Sequence, residues 1–110
     1  MQLYIGGYGQ GKAEYVQKKT GNTAAPVVDN LHLWVKKLLA EGQPAEEIVW
    51  DYYRKHQDCI FICDEIGNGI VPMEAAEREY RDRLGQLLIG LAKEAETVER
   101  IVCGIGQKLK

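Results

Sequence analysis

No apolar stretch in this chain approaches the roughly 20 residues that a membrane-crossing helix requires, so the sequence predicts no membrane partner. The opening Met1-Gln2-Leu3-Tyr4-Ile5 has neither the basic residues nor the small-residue cleavage site of a secretory leader. An excess of charge of one sign is lacking as well. Fourteen basic against 16 acidic side chains leave a formal net charge of -2, which argues against a nucleic-acid partner, because binding a polyanion calls for a basic face. The three cysteines are too few and odd in number for a closed disulfide framework. Cys59 and Cys63 fall on one face of an apolar run, a spacing that suits core packing rather than metal binding. Reduced thiols and a cytoplasmic location are therefore expected. No internal repeat, low-complexity tract or linker divides the 110 residues, and one α/β domain over 1–110 is expected.

What is present is an alternation of strand-like and helix-like segments. Leu3-Tyr4-Ile5 reads as a strand that runs at once into a glycine-rich turn. A short helix from Lys12 carries Tyr15 and Val16 to Gly21, a plausible stop. A polar link, Asn22-Thr23-Ala24-Ala25, leads to Pro26 and a short strand at Val27-Val28. Leu31, Trp34, Val35, Leu38 and Leu39 recur at helical spacing until Gly42. Pro44 suits the start of a further helix with Ile48, Val49, Tyr52 and Tyr53 as its apolar stripe. Cys59-Ile60-Phe61-Ile62-Cys63 is continuously apolar, as in a strand covered on both faces. The glycine-rich Gly67-Asn68-Gly69-Ile70-Val71-Pro72 then precedes a charged helix over 74–95, with Ala76, Tyr80, Leu84, Leu87, Leu88 and Leu91 facing inward. Residues 98–103 read as another strand, and Gly104-Ile105-Gly106 as a turn into a short tail. This alternation predicts a three-layer α/β domain with a mostly parallel sheet, and the glycine-rich turn between the first strand and Lys12 makes it P-loop NTPase-like.

Gly6-Gly7-Tyr8-Gly9-Gln10-Gly11-Lys12 satisfies G-x-x-x-x-G-K between a strand and a helix. Glycines let such a loop curl until several N–H groups point at one phosphate. The following helix adds the positive end of its dipole, and Lys12 a mobile point charge. Gly6, Gly7, Tyr8, Gly9, Gln10, Gly11, Lys12 and Ala13 are thus the candidate nucleotide-binding residues, with Lys12 also catalytic. Ala13 stands where the pattern places a Ser or Thr hydroxyl on magnesium. That substitution separates holding a nucleotide from using it.

The apolar run ends in Asp64-Glu65. A carboxylate delivered at the carboxyl edge of such a strand meets ligands there. Asp64 is the candidate magnesium residue, directly or through water, and Glu65 a catalytic group that orients a nucleophile or takes up a proton.

Asp64-Glu65-Ile66-Gly67-Asn68-Gly69-Ile70-Val71-Pro72 closely resembles the N-E-V-G-x-G-I-V-P signature of the adenosylcobinamide kinase / adenosylcobinamide-phosphate guanylyltransferase family. Arg78-Glu79-Tyr80-Arg81-Asp82, with Gly85 after it, is similar to that family's R-x-F/Y-R-D-x-x-G helix. Val102-Cys103-Gly104-Ile105 is similar to V-S-G-I, Asp29-Asn30-Leu31-His32-Leu33-Trp34 to D-C-L-T-L-W, and the glycine loop to G-G-x-x-S-G-K-S. The resemblance implies a homo-oligomeric P-loop enzyme of cobalamin biosynthesis. Such an enzyme uses ATP or GTP to phosphorylate adenosylcobinamide, then transfers GMP to the product. It also raises Arg81 as a contact to substrate or phosphate.

The chain departs from the pattern at Gln10 and Ala13, both serines there, and at Leu88-Ile89, which replace an Asn-Gln pair and read as packing. Family members carry a further strand and helix, with the histidine that becomes guanylylated, where this chain has only a brief link before Val27. His32 and His56 do not fill that place. Lone histidines in a helix or turn are ordinarily structural or solvated. Trp34, Trp50, Tyr52 and Tyr53 read as core or interface, and Lys108 and Lys110 as solvent-facing. Two readings lead: a magnesium-dependent kinase of cobalamin biosynthesis without supported guanylyl transfer, or a nucleotide-binding sensor or partner subunit without turnover; a purely structural oligomer-forming remnant is the third.

Overall fold

Alternation along the central strands decides which side chains meet which helices. In the computed structural model, which describes residues 1–21, 23–66 and 74–110, the order is β1 (Gln2–Gly6), α1 (Lys12–Thr20), β2 (Val27–Val28), α2 (Leu31–Ala40), α3 (Ala45–Lys55), β3 (Ile60–Asp64), α4 (Ala75–Glu94), β4 (Thr97–Val102) and β5 (Ile105–Lys108). The strands form one sheet in the order β2-β3-β1-β4-β5. β1 runs parallel to both β3 and β4, β2 parallel to β3, and β5 antiparallel to β4. The α/β class and the mostly parallel sheet expected from the sequence are both present.

One face of the sheet presents Leu3, Phe61, Cys63 and Val98 to a core completed by Leu31 and Val35 of α2, Val49 of α3, and Leu84, Leu87 and Leu91 of α4. The other presents Tyr4, Ile60, Ile62 and Ile101, closed by Val16 and Tyr15 of α1 and by Ala25. The result is three layers of unequal weight, with α2, α3 and α4 on one side and α1 on the other. Burying each large aliphatic of the first face contributes about 1.5–3 kcal/mol.

The helix stops lie where the glycines predicted them. Gly42 is left-handed at φ 70, and the amides of Gly42 and Gln43 donate to Leu39 O and Leu38 O, the pairing that closes a helix with a glycine. Gly21, at φ 63, caps α1 by donating to Gln17 O at 2.8 Å. Burial holds the thiols of Cys59 and Cys63 up at about 11 and about 12, in keeping with inert core thiols.

Three details correct the sequence reading. The expected tail after residue 103 is instead strand β5. Cys103 and Gly104, both left-handed at φ 51 and φ 73, make the two-residue turn whose twist suits a hairpin. Ala76 is exposed, in the first turn of α4 ahead of the part that lies on the sheet. Ile89 is 53% exposed, whereas Leu88 does lie against the core. Lys110 is exposed as expected, yet its Nζ donates to Ala92 O and Lys93 O and so caps α4.

On the lighter face, Glu99 of β4 is 5% exposed. It accepts the Tyr15 hydroxyl at 2.7 Å and pairs with Lys19. Tyr15 lies so close to Gly106 that a Cβ there would fall 2.0 Å from its hydroxyl oxygen, so β5 needs glycine at that point. Burial raises the Glu99 carboxyl, but the hydrogen bonds from Lys19 and Tyr15 outweigh it and leave the group below its ordinary 4.5. A carboxyl depressed in the folded chain stabilises above its unfolded value and loses that contribution as pH falls through the folded one. Glu99→Gln is expected to be less stable than the parent at neutral pH. In urea titrations the gap should narrow below about pH 4; a gap independent of pH would show that the carboxylate's charge is not what stabilises this face.

Candidate functional site

β1 and β3 are neighbours and end together, with Gly6 opposite Asp64. From β1 the chain departs to α1 on one face, and after β3 it returns through α4 on the other. Such a divergence opens a crevice at the carboxyl edge, the usual ligand place in open α/β sheets. The glycine loop and Asp64-Glu65 both occupy it.

The loop needs its glycines for separate reasons. A Cβ on Gly6 would stand 2.5 Å from Ile101 O and press on the Lys12 stem, so the backbone passes too near β4 for any side chain. Gly9 and Gly11 are left-handed, at φ 72 and φ 81, and Gly11 opens α1 with its carbonyl accepting the Tyr15 amide. Tyr8 projects outward, 91% exposed, and Ala13 is exposed on the first turn of α1. Gln10 clips the loop to the β4–β5 turn: its carbonyl accepts the Gly104 amide at 2.8 Å, and its side-chain Oε1 accepts the Cys103 amide at 2.7 Å.

Lys12 is buried, with 8% of its surface exposed. Its Nζ donates to Gly7 O at 2.8 Å and lies 2.6 Å from Asp64 Oδ1. An ammonium held out of water needs such a counter-charge. Asp64 is itself held from a second side. His32, in the first turn of α2, accepts the Asp64 amide on Nδ1 at 3.1 Å, and its Nε2 stands 3.4 Å from Asp64 Oδ2. In a neutral ring that acceptor role leaves the proton on Nε2, toward the carboxylate. Burial, reinforced by Lys12, lowers the His32 pKa against the pull of Asp64 and Asp29 and favours the neutral ring. The His32 carbonyl in turn accepts the buried Tyr80 hydroxyl of α4 at 2.8 Å.

Strand alternation parts the two acids. Asp64 turns toward Lys12, while Glu65 turns toward β4 and takes Arg100 in a two-point pair, Nε to Oε1 at 2.8 Å and Nη2 to Oε2 at 3.1 Å. An open depression beside Glu65 and the loop is lined by Gly7, Gln10, Glu65, Arg100, Ile101 and Val102. The Glu65 amide donates to Gly6 O at 2.8 Å and so ties the acid pair to the start of the loop. Arg81 lies on α4, Nε 3.7 Å from Glu77 Oε1, and the Lys12–Asp64–His32 cluster is built without it. Of the nonapeptide, Asp64, Glu65 and Ile66 are described; its residues 67–72 lie outside the described residues.

The structure therefore brings Lys12, Asp64 and Glu65 to one edge, as the sequence predicted, and adds three residues whose roles it did not predict. His32 reads from sequence as an ordinary helical histidine. Arg100 reads as an ordinary strand residue, and Gln10 as a nucleotide-binding loop residue in a serine's place rather than as a clip to a distant turn. Register and the β5 hairpin bring the last two to the site, and neither leaves a local signal. The other histidine, His56, stacks on Tyr52 with ring centroids 4.5 Å apart. Trp34, Trp50, Tyr52 and Tyr53 pack against the core as expected, with Gly90 making room for the Trp50 ring.

Gln10→Ala removes one acceptor of the clip and leaves the Gly104 contact. It is expected to destabilise the turn by about 1 kcal/mol and to speed hydrogen exchange at the Cys103 amide. Unchanged exchange there would mean the side chain does not hold the hairpin.

Residues 8–109 match the family described as cobinamide kinase / cobinamide phosphate guanyltransferase. A curated relative, the bifunctional adenosylcobalamin biosynthesis protein CobU of Salmonella typhimurium, is 39% identical over 51 residues. That match covers 46% of this chain and 28% of the relative's length. The family match runs from the glycine loop through Lys12, Asp64 and the hairpin turn, and it makes this chain a member of the cobinamide kinase / cobinamide phosphate guanyltransferase family.

Proposed function

We propose that this chain binds ATP or GTP with magnesium at the Gly6-to-Ala13 loop and transfers a phosphoryl group to adenosylcobinamide in cobalamin biosynthesis. The observation that carries the reading is the buried ion pair of Lys12 and Asp64, 2.6 Å apart beneath the loop. A phosphate arriving at the loop offers Lys12 a second anion, and the lysine can exchange Asp64 and Gly7 O for it through rotation of its own stem. Loop amides and the amino end of α1 complete the phosphate cradle.

Magnesium fits this donor set. Among the described residues no group of three His, Cys, Asp or Glu side chains forms a ready cation site. Magnesium does not need one, since a carboxylate, phosphate oxygens and water commonly complete its shell. Asp64, once Lys12 has turned away, would hold the ion directly or through water. When bound, the ion supplies neutralisation of charge on the phosphate oxygens. Glu65, paired with Arg100, would orient the acceptor hydroxyl, and Arg81 would contact the substrate or its phosphate. The rate then derives from positioning and electrostatics. A cytoplasmic homo-oligomer is the form in which we expect it to act.

Guanylyl transfer is not part of the proposal. Both ring nitrogens of His32 are turned to Asp64, and His56 lies against Tyr52. One observation favours a second reading, a nucleotide-binding sensor or partner subunit without turnover: Ala13 offers no hydroxyl to the metal.

Calorimetry with ATP and GTP, each with and without magnesium, tests binding. The parent is expected to bind at least one, and Lys12→Met to lose at least about tenfold in affinity. No heat with any nucleotide would sink both readings. Incubation with adenosylcobinamide and nucleotide, followed by mass spectrometry, separates them: a phosphorylated product is expected, and its absence despite binding leaves the sensor. Ala13→Ser is expected to raise turnover or tighten the magnesium dependence, and no change in either would show that the missing hydroxyl is not limiting.

A further inference from the structure

The carboxylate of Asp64 is gripped along two directions, and only one of them is used by Lys12. Oδ1 faces the ammonium, while Oδ2 faces Nε2 of His32, whose Nδ1 accepts the amide of the same aspartate. A side chain held by its own backbone N–H and at its far oxygen by one rigid ring has little freedom to turn. The ring is fixed in its turn. His32 is 6% exposed, stands in the first turn of α2, and has its carbonyl bound by the Tyr80 hydroxyl, which is also buried. The chain of contacts Tyr80–His32–Asp64–Lys12 thus joins α4, α2, β3 and α1 at one edge of the sheet.

We propose that His32 is the positioning residue of the nucleotide site: it fixes the plane of the Asp64 carboxylate so that Oδ1 stays aimed at the loop after Lys12 has turned to phosphate. The inference rests on the nucleotide and magnesium reading above. Without such a second hold, a carboxylate that loses its ammonium partner would rotate toward solvent or follow the lysine, and the metal would meet a disordered donor. The demand on Asp64 is greater here than in a loop with a hydroxyl after the lysine, because Ala13 contributes no oxygen. Partners that orient a metal-binding side chain commonly account for about 10–100-fold in metal affinity.

Two variants of the intact chain separate orientation from folding. His32→Asn keeps an acceptor at the place of Nδ1, so the Asp64 amide stays bonded, but nothing reaches Oδ2; His32→Ala loses both contacts. Calorimetry with ATP and GTP across a magnesium series is the readout, alongside thermal unfolding. His32→Asn is expected to leave the unfolding midpoint and the metal-free nucleotide affinity near those of the parent, within about twofold for affinity. The magnesium needed for half-maximal tightening should rise about tenfold. An unchanged magnesium dependence in this variant overturns the proposal. So does an equal loss of metal-free and magnesium-dependent affinity, which would mark a merely structural role. If the parent binds no nucleotide, the nucleotide reading itself has failed. Long-range nitrogen–proton NMR of the ligand-free protein then still tests the contact: a proton on Nε2 of His32 agrees with it, and a proton on Nδ1 overturns it.

Discussion

An ammonium and a carboxylate 2.6 Å apart, both largely shut from water, set the terms for everything at the carboxyl edge of this sheet. Neither charge is tolerable there without the other. The pair requires β1 and β3 to end in register, so that the residue after the glycine loop meets the last residue of β3. It places the loop over Gly6, where only hydrogen fits, with Lys12 at the start of α1. Under the function proposed above, a phosphate and a cation would replace this neutral pair, each partner taking a new counter-charge without leaving the other buried alone.

Strand geometry then assigns the adjacent acids to different tasks. Successive residues point to opposite faces, so Asp64 belongs to the α1 side with Lys12 and Glu65 to the opposite side with Arg100. The layers behind them are unequal: the heavier one of α2, α3 and α4 supplies the rigid wall from which His32 and Tyr80 reach the site. The lighter one contributes α1, stapled to β4 by Tyr15, Lys19 and Glu99. Lys12 is therefore backed by the thin side of the domain, and the far oxygen of Asp64 faces a residue of the thick side.

Most of this scaffold was legible from composition and period. The apolar Cys59–Cys63 run announced a strand covered on both faces, and Gly21 and Gly42 marked helix ends because few other residues adopt their dihedrals. The glycine loop and Asp64 were legible as a pair, since each sits at the end of a strand and strands of one parallel sheet end at the same edge. What was not legible depends on register and on distant partners. Val102-Cys103-Gly104-Ile105 lacks the Asn-Gly or Asp-Gly of a common hairpin turn, so β5 read as a tail. Arg100 faces Glu65 only because β4 pairs with β1 in one particular register. His32 looked ordinary because its significance lies entirely in the atom it faces, 32 positions along the chain.

The place of β1 at the middle of the sheet has a kinetic side. It precedes every other element, yet its neighbours are β3 and β4, so Gln2 must wait for Ile60 on one edge and Thr97 on the other. Pairings of such long separation are slow to nucleate, because chain closure precedes any gain from contact. The glycine loop inherits that delay. Its Gly6 carbonyl is bonded only once Glu65 arrives, and its Gln10 only once the turn at Cys103 and Gly104 has closed. The shape of the loop thus rests on partners as far as 93 residues away along the chain.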